Sequence, residues 1–155
     1  MNFDQAFDKL IGHEGGYVDD RRDPGGATKY GISKRSYPGE DIAGMTLDRA
    51  KQLYARDYWG PAGCDGLPDA AKLQVFDMAV NSGVTAAIKA MQRAVGTATD
   101  GVFGPITLQA IQSMPAPRFV ARFNAQRLAL MAGLATWPAY GRGWALRIVD
   151  NLMEA

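Results

Sequence analysis

Apolar residues recur at helical spacing along most of the chain, and one stretch breaks that rhythm. Phe3, Phe7, Leu10 and Ile11 fall on one face and predict an amphipathic helix over 2–13, with Asn2 as its N-cap. Gly15 and Gly16 are expected to stop it, which leaves Glu14 at its C-terminal end. Residues 17–32 have no helical period. Tyr17-Val18 leads into the turn-forming run Asp19 to Gly26, and the β-compatible run Ala27 to Ile32 follows, so a short irregular hairpin is predicted. Ser33 then suits the cap of a brief helical turn.

Beyond the hairpin the period is helical again. Thr46 is placed to cap a helix to about Tyr58, with Leu47, Ala50, Leu53 and Tyr54 on one side. Pro68 opens a helix lined by Val75, Met78 and Ala79, which Asn81-Ser82-Gly83 ends. Further helices are predicted over 85–95, from Pro105, over 116–135 and over 139–153. The last carries Trp144, Ile148 and Leu152 at i, i+4 and i+8. The pattern describes a mainly α chain, a helical bundle with a small β-hairpin lobe. The best internal boundary is near 83–85 and separates 1–84 from 85–155, but helices on both sides are apolar enough to pack into one globule.

Composition narrows the function. The chain has 155 residues, enough for one domain or two small lobes on a shared core. Seventeen basic and sixteen acidic residues leave a net charge of +1, which argues against nucleic acid as the main partner. Cys64 is the one cysteine, so no intramolecular disulfide forms, and its turn-like setting argues against a thiol nucleophile. His13 adjoins Glu14, but a zinc hydrolase needs a second His four residues after the first, and position 17 is Tyr. No metal or cofactor is expected, and His13 is read as packing or hydrogen-bonding beside a cleft. The N-terminus has neither the basic start nor the apolar run of a secretory signal, and no stretch reaches membrane-spanning length. The expectation is synthesis in the cytoplasm, without stable membrane insertion, as a monomer.

Glu14 is the candidate acid. Glycoside hydrolysis needs a protonated carboxyl near the leaving oxygen and a group on the other face of the sugar that handles positive charge or delivers water. A carboxyl at a helix C-terminus faces the negative end of the macrodipole, which raises its pKa toward the range of a general acid. Asp23 follows Glu14 by nine residues and Thr28 by a further five. A helix–hairpin unit would let both fold back across a cleft from Glu14, Asp23 orienting a water and Thr28 helping to hold it. Carboxyls about 6.5–9.5 Å apart would imply inversion, and about 5–5.5 Å retention. Asp77 and Asn81 lie one helical turn apart and share a face; they either bind acetamido or hydroxyl groups in the cleft or brace the hairpin. Tyr30 either stacks on a sugar or packs in the hairpin. Trp59 is a candidate cleft flank, Trp144 a core residue, and Arg147 either a surface residue or a partner of Glu14.

The spacing Glu14…Asp23…Thr28 is similar to the Glu–Asp–Thr triad of phage-type lysozymes. The stretches Glu14-Gly15-Gly16-Tyr17, Asp23-Pro24-Gly25-Gly26-Ala27-Thr28-Lys29-Tyr30-Gly31-Ile32 and Phe76 to Gly83 resemble glycoside hydrolase family 108, the N-acetylmuramidases. Residues from about 85 onward, with Asp100 to Thr107 and Gly143 to Arg147, resemble the peptidoglycan-binding region that often follows. The resemblance implies a lysozyme-like α+β fold, with the hairpin lobe flanking the active-site cleft. It also implies bacterial peptidoglycan as substrate, cut between N-acetylmuramic acid and N-acetylglucosamine, with Glu14 as acid and Asp23 and Thr28 positioning water. Such an enzyme without a signal fits a phage endolysin that reaches the periplasm through a separate holin-type pore. The alternatives are a lytic transglycosylase and a non-catalytic peptidoglycan-binding module.

Overall fold

The computed structural model describes residues 1–12, 16–19 and 25–155. Helix α1 spans Phe3–Ile11. Its start is the one the sequence predicts. The Asn2 side chain accepts from the Gln5 N–H at 2.9 Å, and the Gln5 side chain accepts from the Asn2 N–H at 2.9 Å, a reciprocal capping box. Its end comes earlier than expected. Gly12 takes φ 62°, which glycine adopts without a Cβ penalty, and donates its N–H to the Asp8 carbonyl at 3.1 Å. The helix is closed before Gly15 and Gly16, and the expected place of Glu14 at its terminus lies outside the described residues.

The hairpin lobe is built around Thr28. Val18 and Thr28 exchange two backbone hydrogen bonds of 2.8 and 2.7 Å. Strand β1 (Thr28–Lys29) pairs antiparallel with β2 (Ile32–Ser33), Thr28 opposite Ser33 and Lys29 opposite Ile32. The run 27–32, read as one β-compatible stretch, therefore folds back on itself at Tyr30-Gly31. Both turn residues have positive φ, 50° and 73°, as a two-residue type I′ turn requires. The turn rests on the next helix: Tyr54 Oη donates to the Tyr30 carbonyl at 3.1 Å, and a Cβ at Gly31 would lie 2.5 Å from that hydroxyl. Ser33 Oγ accepts from the Ser36 N–H at 3.2 Å, the brief cap the sequence suggests.

Helix α2 (Leu47–Tyr54) is capped by Thr46, whose Oγ1 accepts from the Arg49 N–H at 3.1 Å. It passes into a π-helical turn, Ala55–Trp59, instead of continuing as regular helix to Tyr58. Ala50, Leu53 and Tyr54 are buried, but Leu47 is exposed. Helix α3 (Asp69–Ser82) starts after Pro68 and stops at Gly83. It is the central helix, packing against α1, α4 (Val84–Val95), α6 (Ala116–Ala132) and α7 (Trp137–Met153). Phe76 lies edge-on to Trp59, Phe3 and Tyr54 at centroid distances of 5.3, 5.9 and 6.2 Å. One apolar cluster runs from Ala6 to Phe123.

Helix α5 (Pro105–Gln112) follows a loop wrapped around a buried amide. Gln92 Nε2 donates to Asp100 Oδ1 at 2.6 Å and to the Val102 carbonyl at 3.1 Å, while Gln92 Oε1 accepts from the Gly101 N–H at 2.9 Å. On α7 only Ile148 of the three predicted core residues is buried; Trp144 is half-buried and Leu152 exposed, because this outermost helix offers the bundle a narrow stripe.

Two outcomes follow. Gly31→Ala adds strain at a positive φ and a clash with Tyr54, and is expected to cost more than ~1 kcal/mol in urea unfolding; an unchanged midpoint would contradict the turn. Burial pushes the Cys64 thiol from 9.0 up to about 12 and the Tyr54 phenol from 10.0 up to about 12. Both folded values lie above the unfolded ones, so the stability they contribute is complete below pH 9 and is lost as pH rises toward 12. The unfolding free energy measured against pH should fall across that window, and less steeply in Cys64→Ala.

Candidate active site

A cleft of about 270 Å³ opens between the hairpin lobe and the helical body. Its walls include Leu10 and Ile11 from the last turn of α1, Gly31 from the hairpin turn, Tyr54 from α2, Asn81 from α3 and Arg147 from α7. A smaller recess of about 120 Å³ shares Asn81 and Arg147 and adds Arg127, Met131 and Trp144. A roomier groove of about 550 Å³ lies between α6 and the end of α7, but its walls hold no acidic or basic side chain and offer no acid–base chemistry.

Behind the cleft wall the charged centre is Asp77, buried on α3 among Leu73, Phe76 and Met78. Asp77 is 1% exposed. Its Oδ2 accepts from Arg127 Nη2, while its Oδ1 accepts from Arg147 Nε at 2.6 Å and from Asn81 Nδ2 at 3.2 Å. Asn81 Nδ2 also donates to the Asp77 carbonyl at 2.8 Å. Arg127 is 0% exposed, and burial pulls its pKa down while the Asp77 carboxylate supports the charge. The Arg147 side chain is 40% exposed. Two guanidinium groups thus share one carboxylate, and the cluster carries one positive charge in excess.

Of the residues singled out from the sequence, Glu14, Asp23 and His13 lie outside the described residues. Glu14 follows the cleft residue Ile11 by three positions in the chain. Thr28 sits half-buried in β1, its Oγ1 donating a long 3.3 Å bond to the Gly26 carbonyl. Tyr30 is beside Gly31 in the turn, with Lys29 Nζ 5.5 Å from its ring centroid. Asp77 and Asn81 share one face, as their spacing predicts, but only Asn81 reaches the cleft; the Asp77 carboxylate is taken up by its partners. Two tryptophans exchange the places expected of them. Trp59 is buried against Phe3 and Phe76, with Nε1 donating to Asp65 Oδ1 at 2.8 Å, whereas Trp144 lines the recess. Arg147, read as a surface residue or a partner of Glu14, pairs with Asp77. Arg127 was not anticipated, and no local signal marks it, since its partner is 50 residues away in the chain.

The sequence matches the family Glycosyl hydrolase 108 over residues 7–83 and a peptidoglycan binding domain family over residues 65–111. Among solved structures it is similar to SagA of Brucella abortus, with 34% identity, a TM-score of 0.86, and coverage of 98% of this chain and 92% of that one. No curated protein sequence matches it. The chain belongs to glycoside hydrolase family 108. Its lysozyme-like α+β fold and the two family matches support a glycoside hydrolase that acts on peptidoglycan.

Asp77→Asn removes the charge that compensates buried Arg127 and is expected to cost about 3–5 kcal/mol of stability. Replacing the pair together, Asp77→Leu with Arg127→Met, should recover most of that loss in thermal unfolding. A single variant as stable as the wild type would contradict the role given to the pair.

Proposed function

We propose that the protein is an N-acetylmuramidase, hydrolysing the glycosidic bond between N-acetylmuramic acid and N-acetylglucosamine in peptidoglycan. Glu14 is the general acid that protonates the leaving oxygen, and Asp23 and Thr28 hold the attacking water. The observation that carries this reading is the cleft itself: the α1 residues just ahead of Glu14 form one wall, and the hairpin that continues from Thr28 supplies another. The family match over 7–83 spans all three positions and so supports the same assignment. Asn81, exposed at the mouth, is placed to bind an acetamido or hydroxyl group, while Asp77 holds the arginines behind it. Asp23 as a water-holding group favours inversion. The site of action is the cell wall, reached after release from the cytoplasm; among the described residues no helix is long and apolar enough to cross a membrane.

Glu14→Gln keeps the shape of the side chain and removes its proton. Release of reducing ends from purified cell walls should fall by at least ~100-fold, with thermal unfolding unchanged. Full activity in this variant would remove Glu14 from the mechanism. Proton NMR of the first anomer formed should show inversion, and retention would displace Asp23 from its water-holding role.

A further inference from the structure

The arginine cluster at the end of the cleft has more positive charge than its own carboxylate neutralises, and it is built into the wall. Arg147 and Asn81 line both the cleft and the recess, so the two hollows meet at these side chains. Arg147 spends Nε and Nη2 on a single oxygen, Asp77 Oδ1, at 2.6 and 2.5 Å. A guanidinium has five N–H donors, so this pairing leaves others of Arg147 for a ligand. Arg127, fully buried on the recess wall, carries two nitrogens, Nε and Nη1, with no hydrogen-bond partner among the described residues. A buried guanidinium left with unmet donors is costly unless an acceptor arrives. Among the described residues that line the recess, none is acidic; Arg127 and Arg147 are its only ionisable groups, and Trp144 and Met131 form an apolar flank. Trp144 is held by Tyr140, stacked at 5.9 Å, and by Trp137 at 6.2 Å.

Resting on the muramidase reading, we propose that this recess is a subsite for a carboxylate carried by the wall glycan, with Arg147 as the binding group and Arg127 setting the field behind it. The chemistry matches what separates this substrate from a neutral aminosugar chain: muramic acid bears a lactyl group whose carboxyl is either free or extended by a peptide with its own carboxylates. The flat flank of Trp144 suits the sugar ring that carries the substituent. The subsite would make the enzyme discriminate by charge, since a neutral strand leaves the arginines unanswered.

The test is calorimetric and needs no turnover. Wild-type protein is titrated with the disaccharide N-acetylglucosaminyl-N-acetylmuramic acid, with its lactyl methyl ester, and with the same disaccharide carrying a dipeptide stem. The free acid or the stem form should bind about tenfold or more tightly than the ester, as a charge-assisted hydrogen bond allows. The tighter of the two identifies the carboxylate as lactyl or peptide. The advantage over the ester should vanish in Arg147→Gln and survive in part in Arg147→Lys, with both variants checked for wild-type unfolding. If either variant is destabilised, the comparison of acid and ester on wild-type protein decides alone. Equal binding of all three ligands, or a charge preference that Arg147→Gln leaves intact, would overturn the subsite. A failure of the muramidase reading would show separately, as absent release of reducing ends from cell walls while the charge preference in binding persisted.

Discussion

A carboxylate in the middle of the central helix must be compensated, and the C-terminal helices meet that demand. Asp77 sits on α3 among Leu73, Phe76 and Met78, where an unpaired charge would be expensive. Arg127 comes from α6 and Arg147 from α7 to share it. Both pairings need the long helices to lie against α3 in one register. Gln74, one turn earlier on α3, makes the same connection with neutral groups, donating to the Asn151 carbonyl of α7 and accepting from Asn124 of α6 at 3.2 Å. Polar ties of this kind fix orientation where apolar packing alone tolerates sliding. They also carry charge from the core to the end of the cleft, so packing and electrostatics at the site have a common origin.

The N-terminal half supplies the other wall by a different means. The aromatic cluster of Phe3, Phe7, Tyr54, Trp59 and Phe76 docks α1 and α2 onto α3. Tyr54 belongs to that cluster and also reaches the hairpin through the Tyr30 carbonyl. One side chain therefore connects core, hairpin turn and cleft wall. Ile11 at the end of α1 and Gly31 in the hairpin turn both line the cleft, and along the sequence Glu14 and Asp23 fall between these two residues.

Much of this was readable from the residues. Asn2, Thr46, Pro68 and Pro105 mark helix starts because caps and helix-initiating prolines act locally. The long helices followed from apolar period, and the hairpin from its turn-rich run. What failed depended on distant context. Gly12, Gly15 and Gly16 give similar stop signals, and only the observed geometry singles out Gly12. Tyr30 at positive φ is not a standard turn residue, and its place is held by Tyr54, 24 residues away. Trp59 and Trp144 each end or line a helix, yet neighbours from other elements make one core and the other cleft wall. The arginine partners of Asp77 lie 50 and 70 residues along the chain, beyond any pattern of period or cap. Motif wording, by contrast, carried the family, because the stretches around Glu14, Asp23 and Asn81 are distinctive even where their three-dimensional relation is not legible.

The activity proposed for this cleft is hydrolysis of the bond on the muramic-acid side of the wall disaccharide. Mass spectrometry of purified peptidoglycan digested to completion, with and without borohydride reduction, tests it most directly. The expected products are disaccharide units that end in reducible N-acetylmuramic acid. Products ending in anhydro-muramic acid, or in reducible N-acetylglucosamine, would contradict it.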